Sequence, residues 1–167
     1  TTFSNLITHA RAGNATMTDS DGLIKWAPHN LLTYSEDFTQ WNNQLYTTEA
    51  NSTIAPDGSQ TADKITATTT SGSVGNATTV ADGQHTLVFY AKYIDSQWIR
   101  IARKTSADNA AWFDIQNGVA GTVVDANDSS SITDVGNGWY RLELVIANPD
   151  TTSENNFISL SSSDNTT

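Results

Sequence analysis

Between residues 136 and 147, hydrophobic and polar positions alternate with a period of two. A Gly136-Asn137-Gly138 turn leads in. Tyr140, Leu142, Leu144 and Ile146 then fall on one side, and Trp139, Arg141, Glu143 and Val145 on the other. This is the pattern of a strand with one face in a core. It recurs over 85–94, where Leu87, Phe89, Ala91 and Tyr93 alternate with Val88, Tyr90 and Lys92. Over 97–104, Ile99 and Ile101 alternate with Trp98, Arg100 and Ala102, and over 111–115, Ala111, Phe113 and Ile115 alternate with Trp112 and Asp114. A Gln116-Asn117-Gly118 turn, a short strand at 119–124 and a polar loop at 127–131 are expected next. Residues 148–156 read as a loop, 157–160 as the start of a strand, and 161–167 carry no apolar side chain.

The first half is less regular. Leu32, Tyr34, Phe38 and Trp41 surround a Ser-Glu-Asp break, which predicts a strand and then a short helical turn. Pro56-Asp57-Gly58 is a turn signal before a strand reaching Ile65, and 66–79, made mostly of Thr, Ser, Gly and Asn, predict a loop or a weak edge strand. Before residue 30 the chain reads as a separate piece: an extended segment at 3–8, a turn-rich link at 11–16, and Asp19-Ser20-Asp21-Gly22 feeding a short strand. The Asp19/Asp21 pair lacks the third acidic ligand and terminal Glu of a calcium loop, so turn chemistry is the better reading.

No long helical periodicity is present. Thr, Ser and Asn make up roughly a third of the 167 residues, a composition that suits β-sandwiches with polar turns, displayed outside cells or on virions. The formal net charge of −10 and scattered Lys and Arg disfavour nucleic acid and anionic lipid as partners. No apolar run reaches the length of a membrane span. Cysteine is absent, which removes disulfides, thiolate nucleophiles and Cys-type zinc sites. The chain begins at Thr1 rather than Met, pointing to a processed product or a segment of something longer.

The off-core positions of these strands collect Tyr90, Lys92, Trp98, Arg100, Trp112, Asp114, Trp139, Arg141 and Glu143. If the strands share one sheet, these side chains share one face. Aromatic plates suit the C–H faces of sugars, and Arg, Asp and Glu suit their hydroxyls. Interfaces enrich the same residue types, and a layer packed under a loop is a third reading. Asp114 and Glu143 form a conceivable glycosidase pair, yet eighteen acidic residues make some pairing inevitable and no nucleophile motif accompanies them. His9, His29 and His85 have no metal-ligand spacing. No catalytic residue, metal or cofactor is assigned.

Four motifs occur in order: Asn30-Leu31-Leu32-Thr33-Tyr34-Ser35-Glu36-Asp37-Phe38 with Trp41; Ala55-Pro56-Asp57-Gly58-Ser59-Gln60-Thr61-Ala62-Asp63-Lys64-Ile65; Trp112-Phe113-Asp114-Ile115-Gln116-Asn117-Gly118; and Gly136-Asn137-Gly138-Trp139-Tyr140-Arg141. The set resembles the carbohydrate-binding-module-like jelly rolls of tailed-phage virion proteins, in tail fibres, tail spikes and head fibres or spikes. Residues 3–26 resemble the leader that often precedes the module. The resemblance implies an all-β fold, a two-sheet antiparallel β-sandwich of jelly-roll, lectin-like type at 30–167, with an extended N-terminal arm at 1–29. It further implies a non-enzymatic structural protein at the particle surface. The arm would anchor it to other virion proteins, in a homo-oligomer, and the sandwich would touch host cell-surface glycans, for which the off-core faces offer Tyr90, Trp98, Arg100, Trp112, Asp114, Trp139 and Arg141. A decoration or adaptor domain without ligand is the alternative. The family closes with a Gly-Ala-Gln-Leu-Glu-like strand that this sequence does not reach, so an unpaired edge is expected.

Overall fold

A computed structural model of the chain describes residues 16–18, 21–26, 30–69, 72–80, 83–103, 109–149 and 153–165. The chain divides into two compact units, Thr1–Leu31 and Leu32–Thr167. In the first, β1 (Thr16–Thr18) pairs antiparallel with β2 (Ile24–Trp26), the short strand expected after the Asp21-Gly22 turn. The extended segment expected at 3–8, and Asp19, lie outside the described residues.

The second unit is a jelly-roll-like β-sandwich. Its strands are β3 (Asn42–Gln44), β4 (Tyr46–Thr53), β5 (Ala62–Ala67), β6 (Ser73–Thr79), β7 (His85–Lys92), β8 (Trp98–Arg103), β9 (Asn109–Asp114), β10 (Val119–Val123), β11 (Ser129–Gly136), β12 (Trp139–Ile146) and β13 (Ser153–Ser161). One antiparallel sheet runs β10-β9-β8-β13-β6-β3, a second β11-β12-β7, and β4 pairs with β5 alone. Val74, Ile99, Ile101, Ala111, Phe113 and Ile158 of the first sheet meet Leu87, Phe89, Ala91, Leu142, Leu144 and Ile146 of the second in one buried cluster. Apart from Val74 and Ile158, these are the side chains that the alternation assigns inward, and Tyr140 packs half-buried against them.

Local chemistry fixes the connections. Asp114 turns the chain between β9 and β10, and Gly118 closes that turn at φ +69°, donating its N–H to the Asp114 carbonyl at 2.9 Å. A side chain at Gly118 would also strike the Tyr140 ring, since its Cβ would lie 2.8 Å from the ring. Asp63 binds two separate segments: Oδ2 accepts from the Phe38 N–H at 2.7 Å and Oδ1 from the Asn51 N–H at 2.9 Å. Phe38 opens the expected short helical turn, a 3-10 turn at Phe38–Gln40.

Several expectations are overturned. No strand forms before that turn, because Tyr34 is left-handed (φ 52°) and its carbonyl caps a turn, accepting from the Asp37 N–H at 3.0 Å and the Trp41 indole at 2.9 Å. The Gly- and Thr-rich stretch before residue 80 is not a loop: β6 is held between β13 and β3 by ladder hydrogen bonds and Val74, not by its own propensity. The expected loops at 127–131 and 148–156 give way to strand from Ser129 and Ser153. The strand expected to begin at 157 forms as β13, inside the six-stranded sheet with β8 and β6 paired on either side.

Candidate functional site

The off-core residues do not share one sheet, because β7 and β12 belong to the three-stranded sheet, and β8 and β9 to the six-stranded one. The expected single face is therefore two faces on opposite sides of the core.

On the outer face of the three-stranded sheet, Tyr90 stands opposite Arg141, Glu143 opposite Ser131, and Lys92 opposite Trp139. Arg141 Nη1 lies 2.6 Å from Glu143 Oε2, with the two side chains 32% and 26% exposed. The Ser131 hydroxyl donates to the same oxygen at 2.9 Å. The Arg141 hydrogen bond is the main reason that the Glu143 carboxyl titrates below its ordinary value, and Glu143 in turn raises Arg141. Trp139 is no exposed plate: it is 8% exposed, and its indole N–H donates to the Ile54 carbonyl at 3.1 Å. That is the reading of a ring packed under a loop.

The outer face of the six-stranded sheet is different in kind. Trp112 stands opposite Arg100, Asp114 opposite Trp98, and Ala110 opposite Ala102, with Phe157 of β13 opposite Ala102 on the other side. Trp112, Phe157, Ala102 and Ala110 form a second buried apolar cluster, against which the half-buried Trp98 packs. The Arg100 guanidinium carbon lies 5.4 Å from the Trp112 ring centroid and 5.1 Å from that of Phe157, within cation–π range of both. Arg100 is 7% exposed, and burial lowers its pKa. Its Nε is buried without a hydrogen-bond partner.

Asp114 belongs to this face by register but serves the turn. Its carboxylate accepts from Gln97 Nε2 at 2.7 Å, Asn117 Nδ2 at 2.8 Å, the Asn117 N–H at 2.9 Å and the Gln116 N–H at 3.0 Å. Burial pushes its pKa up, and these four donors together pull it below the ordinary value. A carboxylate so committed has little left for a ligand. With Glu143 on the other sheet, the two acids are not a facing pair.

Next to the Arg100 cluster the sheet holds a cleft missed by sequence reasoning. Asn42, Gln44, Ser73, Gly75, Asn155 and Phe157 line it, as a small depression open to solvent. Register explains the grouping: Asn42 faces Gly75, Gln44 faces Ser73, and Gly75 faces Phe157 across adjacent strands. Gly75 sits close under its neighbour, since a Cβ there would lie 3.2 Å from that of Phe157. The available signal was the polar–aromatic alternation Asn155, Phe157, Ser159. The result is a depression ringed by amide and hydroxyl groups that both donate and accept hydrogen bonds, with the 5% exposed Phe157 beneath them.

Among the described residues no group of three or more His, Asp or Glu side chains is placed to hold a metal ion, and no helix is long and apolar enough to cross a membrane. In comparisons with known proteins, no family model matches the chain and no curated sequence matches it.

Proposed function

We propose that the Leu32–Thr167 sandwich is a non-enzymatic carbohydrate-binding module of a phage or phage-like particle, displayed at the particle surface for attachment to host glycans. The observation that carries the binding is the cleft on the six-stranded sheet, where Asn42, Gln44 and Asn155 surround Phe157. Amides serve sugar hydroxyls as both donors and acceptors. The ordered motifs that resemble phage jelly rolls supply the particle context and the anchoring role of the N-terminal arm within an oligomer. Of the residues expected to bind, Trp98, Arg100, Trp112 and Asp114 belong to the same sheet as this cleft without lining it, while Tyr90, Trp139 and Arg141 lie on the other sheet.

A glycan array probed with the intact chain tests the reading. The expected result is retention of a defined subset of glycans, with Asn155→Ala and Gln44→Ala each weakening it at least about tenfold through lost hydrogen bonds and packing. No retained glycan, or retention unchanged in both variants, would overturn it. A second reading, a decoration or adaptor domain without ligand, is favoured by one observation: Trp112 and Trp139 are 1% and 8% exposed, so neither offers a free plate.

A further inference from the structure

We propose that Arg100 is an anion receptor and that the ligand class is an acidic saccharide, one carrying a carboxylate as in a uronate or sialoside. This rests on the carbohydrate reading above and specifies it.

Two independent observations meet at one ring. Phe157 lines the cleft and also carries the Arg100 guanidinium, whose central carbon lies 5.1 Å from the ring centroid. Arg100 is more than nine-tenths buried, at 7% exposed, and its Nε has no hydrogen-bond partner. Its side chain makes no ion pair or hydrogen bond with any described residue, in contrast to Arg141, which is held by Glu143. A desolvated cation with open donors is costly unless something satisfies it. The two aromatic rings answer only its π-face, since cation–π contact leaves the in-plane N–H groups unused. A planar, bidentate carboxylate is the complementary partner for that fork.

The rest of the chain sharpens the class. At a net charge of −10 the protein repels polyanions at long range. Acid recognition here is therefore local, one carboxylate to one guanidinium, with the amides of Asn42, Gln44 and Asn155 reading neutral hydroxyls alongside. This predicts an unusual salt response. Raising ionic strength screens the long-range repulsion more than the buried pair, so affinity for an acidic oligosaccharide should hold or rise rather than collapse.

The test titrates the intact chain with an oligogalacturonate and a sialyl-oligosaccharide, each beside its carboxyl-reduced counterpart, with the glycan array as reference. Binding of an acidic member at least about tenfold tighter than its reduced form supports the inference. Arg100→Gln should erase that preference, and Arg100→Lys should restore it only in part. Equal binding of acidic and reduced forms by the native chain would overturn the inference and leave the carbohydrate reading standing. Absence of any glycan binding, on the array or in titration, would overturn both. The native-chain comparison decides the matter even where Arg100→Gln fails to fold.

Discussion

On the outer side of the six-stranded sheet Trp112 is 1% exposed and Arg100 7%, whereas on the outer side of the three-stranded sheet Tyr90 is 48% exposed and Arg141 and Glu143 pair in partial contact with solvent. Both faces are built from the same alternation of aromatic and charged residues. The difference lies in what each side chain finds across the ladder. Arg100 finds two rings and Arg141 finds a carboxylate. A charge paired in water is close to neutral for stability and has its donors occupied; a charge stacked out of water keeps them open. The richer-looking list of charges is thus the one whose donors are already occupied, while the cation stacked on rings keeps its own open.

The sharpest way to break this contrast is truncation at the two faces. Trp112→Ala should cost about 3–5 kcal/mol of unfolding free energy, while Tyr90→Ala should stay within about 0.5 kcal/mol. Urea unfolding followed by fluorescence reads both, and similar midpoints for the two variants would dissolve the distinction. Next in size is Asp114→Asn, which removes the charged acceptor from four donors and should cost about 2 kcal/mol at neutral pH. Because the folded pKa of Asp114 lies below its ordinary value, its contribution is complete above the unfolded carboxyl pKa of about 3.9 and is lost as pH falls through the lower folded value. The native chain should therefore lose its advantage over Asp114→Asn on acidification. An advantage that grew toward low pH would reverse the assignment.

Two smaller effects belong to the three-stranded face. Trp139→Phe keeps most of the buried ring but leaves the Ile54 carbonyl without its donor, for an expected cost of about 1 kcal/mol in thermal or urea unfolding. A double-mutant cycle on Arg141→Gln and Glu143→Gln should return a coupling of only about 0.5 kcal/mol, shrinking with added salt. A coupling several times larger would mean that the pair is far less hydrated than its exposure implies.

Much of the sandwich was legible because β7, β8, β9, β10 and β12 carry a branched or aromatic residue at most inward positions, a signal that survives without knowledge of neighbours. β6 and β11 were not legible. Their inward positions offer little beyond Val74 and Ile132, and their strand character is imposed by the partners to which they hydrogen-bond. The same limit hid the cleft. Periodicity tells which side of its own strand a residue occupies, but not which sheet the strand joins. Trp98, Arg100 and Trp112 do share a sheet, Tyr90, Trp139 and Arg141 belong to the other one, and nothing in the pattern singled out Asn42, Gln44 and Asn155.

The position of β13 has a consequence for the order in which the protein can assemble. This strand lies between β6 and β8 yet comes later in the chain than either, with Asn156 pairing on one side to Asn76 and on the other to Arg103. As the chain is synthesised from its N-terminus, β8, β9 and β10 can zip together by short connections, while β6 and β8 each keep an open ladder edge. The six-stranded sheet closes only when residues 153–161 are made and inserted between them, and insertion delivers Phe157 to Gly75 and Arg100 in one step. The cleft and its neighbouring cation thus come into being together, as a late event of folding.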